Sequence, residues 1–345
     1  MSKIRPTIGI IVPNYNDGRF LTACLRSVLE QTDAPDELIV IDDGSTDNSR
    51  EIIDSMLGDV PYARIYSNEK NYGATETSNR GLGLATADFL IFLSANDVIA
   101  PDLVHETRGF YFRYPYAGMC SALLNLIDEE GRDLGFFKSP MLSLKTTFLK
   151  AKRARKLLES LGTWTTGATV SYQRKLLVGI GGFDPIMKGF SDMLAPAIIA
   201  GRHGVGFIPK VLCSLRMHSG SVLASTLGDA DGMQVLVRHF TEVAPKAAPD
   251  IFTAETMKRF LNRIYFAIFR TLPGPASPFI SAGIGDQRAN CLIMICRWLP
   301  DTAPKLRLLA GFLIIRGRDM PAFVWRRLIL GWYWSIRNAR ATHQK

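Results

Sequence analysis

The chain has 345 residues, 47% of them hydrophobic, enough to bury one large core and carry an appendage. Residues 1–250 carry 26 Lys and Arg against 28 Asp and Glu, while residues 251–345 carry 15 against 4, so the net charge of +9 belongs to the last quarter. Such a quarter calls for an anionic partner, lipid or nucleic acid. The five cysteines (Cys24, Cys120, Cys213, Cys291 and Cys296) have neither paired nor zinc-ligand spacing, which points to reduced, mostly buried thiols. The first residues, Met1 to Pro6, lack the apolar core of a signal peptide. No apolar run approaches the about 18–20 residues of a membrane span. A cytoplasmic protein is expected, at most peripheral at the inner face of the membrane.

Four β-branched runs come first: Thr7–Val12, Glu37–Ile41, Ala63–Tyr66 and Phe89–Leu93. Their spacing of roughly 25–30 residues suits strand–helix–strand units. The intervening helices are expected over Gly18–Gln31, Asn48–Leu57 and Thr75–Ala85, the first with Phe20, Leu21, Cys24, Leu25 and Val28 on one face. Strands apolar on both faces imply a covered, mostly parallel sheet, hence an α/β domain. A helix is expected from Pro101 to about Tyr114, then strands over 117–138 around an Asp128-Glu-Glu-Gly131 turn.

Leu144–Leu161 sets Lys145, Lys150, Lys152, Arg153, Arg155 and Lys156 between leucines. Two readings stand: a solvated basic helix, or a mobile flap over a diphosphate or an acceptor. Past about Ala244, prolines punctuate helical segments rich in arginine and aromatics. We therefore expect an α/β domain over 1–244 and a basic, aromatic-rich helical extension over 245–345. Within it, Pro321–Ala341 suits a bilayer interface with anionic lipid, or a helix buried against the domain or a second subunit of an oligomer. No reading-head motif accompanies the charge, so nucleic acid is disfavoured.

The chemistry concentrates where strands end. Leu38–Ile41 runs into Asp42-Asp43-Gly44-Ser45-Thr46-Asp47, and Phe89–Leu93 runs into Ser94-Ala95-Asn96-Asp97. In open α/β sheets ligands bind beyond the carboxyl ends of the strands, and these side chains suit ribose hydroxyls, base edges and a hard cation. There is neither a Gly-x-x-x-x-Gly-Lys-Ser/Thr loop nor a Gly-x-Gly-x-x-Gly turn after the first strand. P-loop and dinucleotide chemistry are thereby disfavoured. Tyr15 is placed to stack a base, and Asp43 to accept a hydrogen bond from its edge.

Several pieces in order carry a family resemblance. They are Val12-Pro13-Asn14-Tyr15-Asn16, Ser27–Thr32, Val40–Asp47, Asn71-Tyr-Gly73, Asn79-Arg80-Gly81, Gly181-Gly182-Phe183-Asp184 and Arg216-Met-His218-Ser-Gly220-Ser221. Over about residues 6–222 the chain resembles the family-2 inverting glycosyltransferases of the GT-A fold. The resemblance implies a nucleotide-diphosphate sugar donor held by Pro13, Tyr15, Asn16, Asp42, Asp43, Asn71, Asn79 and Arg80, together with Ser94 and Asn96. It implies a saccharide or lipid-linked acceptor, with Trp164 and Thr165 on the acceptor side. It also implies a Mn²⁺ or Mg²⁺ cofactor.

The family's Asp-x-Asp falls here on Ser94 and Asn96, a departure, since neither supplies a carboxylate. Asn96, Asp97 and His218 are the expected metal ligands. In the family the base follows Gly-Gly-Phe-Asp in a Glu-Asp pair; here that pair is Ser191-Asp192, making Asp192 the expected base. Asp192 also suits the N-cap of a helix over Met193–Ala200. Two other classes remain open: a catalytically weak nucleotide-sugar-binding homologue, and a nucleotidyltransferase.

Overall fold

Ile8–Asn14 (β1) is buried at every residue but Pro13, as befits a strand in the middle of a covered sheet. In the computed structural model, which describes residues 5–136, 141–162, 164–165, 167–218, 229–271, 291, 294, 309 and 312–315, it pairs in parallel on both sides. Its neighbours are Glu37–Asp42 (β2) and Phe89–Phe92 (β4), and β2 continues to Ala63–Ser67 (β3). The helices between them are Gly18–Leu29 (α1), Ser49–Leu57 (α2) and Ala74–Leu84 (α3). Phe20, Leu21, Cys24, Leu25 and Val28 of α1 are buried, the face the spacing predicts. Each fully buried Ile or Leu here contributes about 1.5–3 kcal/mol. Helix α3 lies directly on β1 because Gly81 carries no side chain; a Cβ there would come within 2.5 Å of Ile11 Cγ2.

Beyond β4 the chain forms Val98–Ile99 (β5), Leu103–Arg113 (α4), Met119–Ile127 (β6), Asp133–Phe136 (β7) and Thr147–Leu149 (β8). Then come Ala151–Leu161 (α5), Ser171–Gln173 (β9), Arg174–Gly179 (α6), Ser191–His203 (α7) and Val205–Arg216 (β10). The sheet order is β3-β2-β1-β4-β9-β6-β10-β5, with β7 on β6 and β8 on β10. β1 to β4, β6 and β10 run in one direction, and the short β5, β7, β8 and β9 run against it. The α/β domain with a mostly parallel sheet is thus as expected.

The sequence reading has no strand over 205–216. The reason is local: Pro209 and two register shifts, at Ile208/Val211 and Val211/Cys213, interrupt the alternation without ending the strand. The flap reading of the basic run is also corrected. β8 pairs antiparallel with the start of β10, Leu149 opposite Val205, so Lys145 to Arg153 lie where β6 and β10 begin, away from the carboxyl ends of the strands.

The opposite ends of β1 and β2 are closed by charge pairing. Arg108, buried on α4, donates to Asp33 and Asp36 at 2.6 Å each and to the carbonyls of Pro6 and Ala34 at 2.8 Å. Glu37 accepts from Arg64, Thr86 and Ala87.

The chain divides into two compact units, 1–155 with 165–222, and 156–164 with 223–345. In the second, Ala230–Ala247 (α8) and Ala254–Thr271 (α9) meet through Phe240 and Phe260, whose ring centroids are 5.8 Å apart, with Phe252 edge-on to both. Arg263 of α9 donates to the carbonyl of Leu161 at 3.0 Å. Among the described residues no helix is long and apolar enough to cross a membrane. Cys24, Cys120 and Cys213 are free and buried, and Cys291 is free and exposed. Cys296 and the segment 321–341 lie outside the described residues.

Candidate active site

Two loops leave adjacent strands and are tied together at once. Asn14, the last residue of β1, donates through Nδ2 to Asp42 Oδ1 at 2.9 Å and to Ser45 Oγ at 3.1 Å. Asn16 adopts φ 54°, a left-handed conformation that asparagine tolerates. That turn lets its backbone N–H reach Ser45 Oγ at 2.9 Å while its Oδ1 accepts the N–H of Thr46 at 2.7 Å. Tyr15, between them, is 43% exposed at the rim, and Pro13 is half-buried in β1.

Asp43 brings in a third loop. Its buried carboxylate accepts from Asn68 Nδ2 at 2.5 Å, from the N–H of Tyr72 at 3.0 Å and from the N–H of Gly73 at 2.8 Å. Asn71 Oδ1 accepts the same Gly73 N–H at 2.8 Å, and Arg80 donates to Asn68 Oδ1 and to the Ser67 carbonyl. Arg80, Asn68 and Asp43 thus form one chain that holds the 68–73 loop against β2. Tyr72 is 51% exposed, with the Lys70 ammonium 5.4 Å from its ring centre. Asn68 is a residue the sequence reading missed; its position just after β3 is the only signal it had.

The loop after β4 meets the end of β10. Asp97, 4% exposed, accepts the N–H of Arg216 at 2.8 Å. Arg216 returns its guanidinium to the carbonyls of Asn96, Asp128 and Glu129 at 2.8–2.9 Å and lies over the Phe20 ring. Burial pushes the Asp97 carboxyl up to about 7, with the N–H and charge of Arg216 pulling against it. Two residues on, His218 Nε2 sits 2.6 Å from Asn96 Nδ2 and packs its ring 5.3 Å from that of Phe20. Burial also raises Asp17, and the nearby His218 opposes that shift. Asp17, Phe20 and Arg216 are further missed participants. Asp17 adjoins the Asn14–Asn16 loop, and Arg216 heads the Arg-x-His pattern itself.

On the other side, the Gly-Gly-Phe turn is fastened to α3. Asn79 donates to the Phe183 carbonyl at 2.7 Å and accepts the Phe183 N–H at 2.9 Å. Gly182, at φ 79°, lies so close that a Cβ would stand 2.5 Å from Asn79 Oδ1. Asn79 therefore orders the route to α7. Asp184 caps the following 3-10 turn, accepting the N–H of Ile186 at 3.0 Å. Within that turn Lys188 takes φ 43°, a conformation L residues rarely adopt.

The capping expectation for Asp192 is corrected. α7 starts at Ser191 with Phe190 as its N-cap, because the 3-10 turn runs straight into the helix. Asp192 is the second helical residue, in the first turn, where an anion is favoured by the helix dipole; its side chain lies outside the described residues. Pro196 has no N–H to give the Asp192 carbonyl four residues back. Trp164 and Thr165 are both buried, and the indole Nε1 has no hydrogen-bond partner among the described residues.

Among the described residues no group of three or more His, Cys, Asp or Glu converges on one point. Ser94 is exposed, and the Asp97 carboxylate is engaged with the β10 backbone. The pair that does converge is Asn96 and His218. In either orientation of the amide the 2.6 Å contact is a hydrogen bond; drawn apart, the amide oxygen and the imidazole nitrogen are two neutral donors. Such a pair fits a divalent cation whose other ligands are phosphate oxygens and water.

Loops rich in carboxylates and amides at the carboxyl ends of parallel strands lie where open α/β sheets take their ligands. Residues 9–172 match the pattern of Glycosyl transferase family 2, and this region of the chain belongs to that family. The Streptococcus pneumoniae glycosyltransferase GlyG is 33% identical over 97 residues, 28% of this chain and 32% of that protein. An uncharacterized glycosyltransferase of Nostoc sp. is 28% identical over 181 residues, 52% of this chain and 54% of its own length. The chondroitin synthase of Pasteurella multocida is 34% identical over 99 residues, 29% of this chain and 10% of that enzyme. The chain thus spans about a third to a half of the first two relatives.

Among solved structures, Staphylococcus aureus TarS 1-349 in complex with UDP-GlcNAc superposes with a TM-score of 0.54 at 16% identity, over 90% of this chain and 92% of that one. The mannosyltransferase PcManGT of Pyrobaculum calidifontis, in complex with GDP-Man and Mn²⁺, gives 0.56 at 19% identity, over 92% and 88%. At these identities the likeness is one of fold.

Proposed function

We propose that the chain transfers a sugar from a nucleoside-diphosphate sugar to a hydroxyl acceptor, with inversion. The observation that carries this reading is the joining of three strand-end loops through Asn14, Asp42 and Asp43, beside the Asn96–His218 pair. The bound donors of TarS and PcManGT, and the named activity of the chondroitin synthase, support the donor class and a role in polysaccharide or glycolipid assembly.

In this reading Tyr15 and Tyr72 offer ring faces to the base, and Asp43 turns its remaining lone pairs toward the base edge. Ser94 and Asn96 contact ribose and diphosphate. Asp192 takes the proton from the acceptor hydroxyl as its oxygen bonds to the anomeric carbon. The bond to the nucleoside diphosphate breaks on the opposite face, which inverts the centre. A divalent cation, when bound, supplies positive charge to the leaving diphosphate. Asn96 and His218 would hold it, Asp97 and Arg216 fix His218 in place, and Trp164 and Thr165 lie on the acceptor side. We further propose a cytoplasmic enzyme, peripheral to the membrane, whose basic extension contacts anionic lipid or another subunit.

The test is a panel of UDP- and GDP-sugars offered with saccharide and lipid-linked acceptors. Nucleoside diphosphate release with an inverted anomeric centre in the product supports the proposal. Pyrophosphate release identifies a nucleotidyltransferase. Ser94, Asn96 and Ser191, standing where carboxylates are expected, favour one second reading, a weakly active donor-binding homologue. Tight donor binding without turnover is its signature.

A further inference from the structure

A second surface is built at the other end of the sheet, where β6 and β10 begin. Arg113 ends α4; Tyr114 and Tyr116 follow it and pack on Phe148 of β8, ring centres 5.7 and 5.1 Å apart. Tyr116 nevertheless stays 62% exposed, and Leu144 beside β8 is exposed as well. Lys145 and Lys150 flank β8, and Lys152 and Arg153 follow in the first turn of α5, all exposed. Helix α5 is strongly two-sided, since Ala154, Leu157, Leu158 and Leu161 are buried. Among the described residues, none of Arg113, Lys145, Lys150, Lys152 and Arg153 makes an ion pair. Close by, His203 is held below its ordinary range by partial burial and by Arg202 and Lys175, which marks the same end as electropositive.

Uncompensated cations around exposed aromatic and aliphatic side chains are the chemistry of an anionic bilayer surface. Phosphate headgroups take the lysines and arginines while the rings enter the interface. A nucleic acid would use the charge and leave Leu144 without a partner. We propose that this patch docks the protein on anionic phospholipid, independently of the C-terminal extension. A spatial consequence follows. β6 has nine residues, so at about 3.3 Å per residue its carboxyl end lies on the order of 30 Å from the patch. Docked in this way, the enzyme receives the end of an extended acceptor and not a group at headgroup level.

The experiment is sedimentation of the full chain with phosphatidylcholine vesicles, with and without phosphatidylglycerol, at low and high salt. Wild type should partition onto the anionic vesicles alone and leave them in salt. The triple variant K150Q/K152Q/R153Q should bind about a hundredfold more weakly, three surface cations having been removed. Y116S should weaken binding while keeping the salt dependence. Lys150, Lys152 and Arg153 are exposed, so the melting temperature and nucleotide binding of the triple variant should match wild type. Three outcomes overturn the proposal: wild type ignoring anionic vesicles, the triple variant binding them as wild type does, or the triple variant losing single-stranded RNA and not vesicles.

Discussion

Asn96 and His218 meet at 2.6 Å although 122 residues of chain separate them. The contact exists because Arg216 locks the loop after β4 to the end of β10, donating its backbone N–H to the Asp97 carboxylate and its guanidinium to the Asn96 carbonyl. If this pair holds a cation, charge at Asn96 decides how tightly. Asn96→Asp should strengthen Mn²⁺-dependent binding of a nucleoside diphosphate about tenfold, by adding a charged oxygen ligand. His218→Ala should weaken it comparably. Calorimetry with and without Mn²⁺ measures both, and identical values for all three proteins would remove the pair from the site.

Asp43 holds the 68–73 loop and, in the proposed reading, also faces the donor. Asp43→Ala leaves the N–H of Tyr72 without its acceptor and takes one of two acceptors from the N–H of Gly73 and from the amide of Asn68. Nucleotide affinity should fall by about 1.5–3 kcal/mol, the scale of a hydrogen bond to a charged group. The melting temperature should fall too. Unchanged nucleotide binding would show that Asp43 serves the loop alone.

Asp97 should make stability depend on pH. Its folded pKa, about 7, stands above the ordinary value of 3.8. Stability from the protonated buried carboxyl is therefore complete below about pH 4 and is lost as pH rises through about 7. Asp97→Asn cannot ionise and still offers an oxygen to the Arg216 N–H. Between pH 4 and pH 8 the variant should gain on wild type by on the order of 4 kcal/mol. Denaturant unfolding at several pH values checks this; parallel curves would mean that the carboxyl titrates normally.

Gly182 has no room for a side chain and sits in a left-handed conformation. Gly182→Ala should destabilise the fold by about 1–3 kcal/mol, and should lower turnover more than donor binding, because the turn leads to α7 and Asp192. Thermal melts and kinetics on the same preparation separate the two effects.

Asp192→Asn preserves size while removing the carboxylate proposed to accept the hydroxyl proton. Turnover should fall about 10²–10⁴-fold, the usual worth of a general base. Donor binding should hold, and stability should drop only by the few tenths of a kcal/mol of a first-turn charge. A kcat within a few-fold of wild type would end the base assignment and turn attention to Asp184.

The sequence alone determined the α/β class, the first four strands and their helices, and the acidic loops after β2 and β4. These follow from local rules: a strand buried on both faces must be apolar throughout, and an amphipathic helix must repeat every three to four residues. β10 escaped because Pro209 and its bulges break the pattern that alternation relies on, while its pairing with β6 is a long-range matter. Only the tertiary structure decided that Asp97 is buried under Arg216, that Asn79 is paired with the Phe183 backbone, and that the basic run from Lys145 to Arg153 belongs to the far end of the sheet. A side chain's type states what it can bond to. Which partner reaches it depends on how segments a hundred residues apart are stacked, and no local pattern carries that.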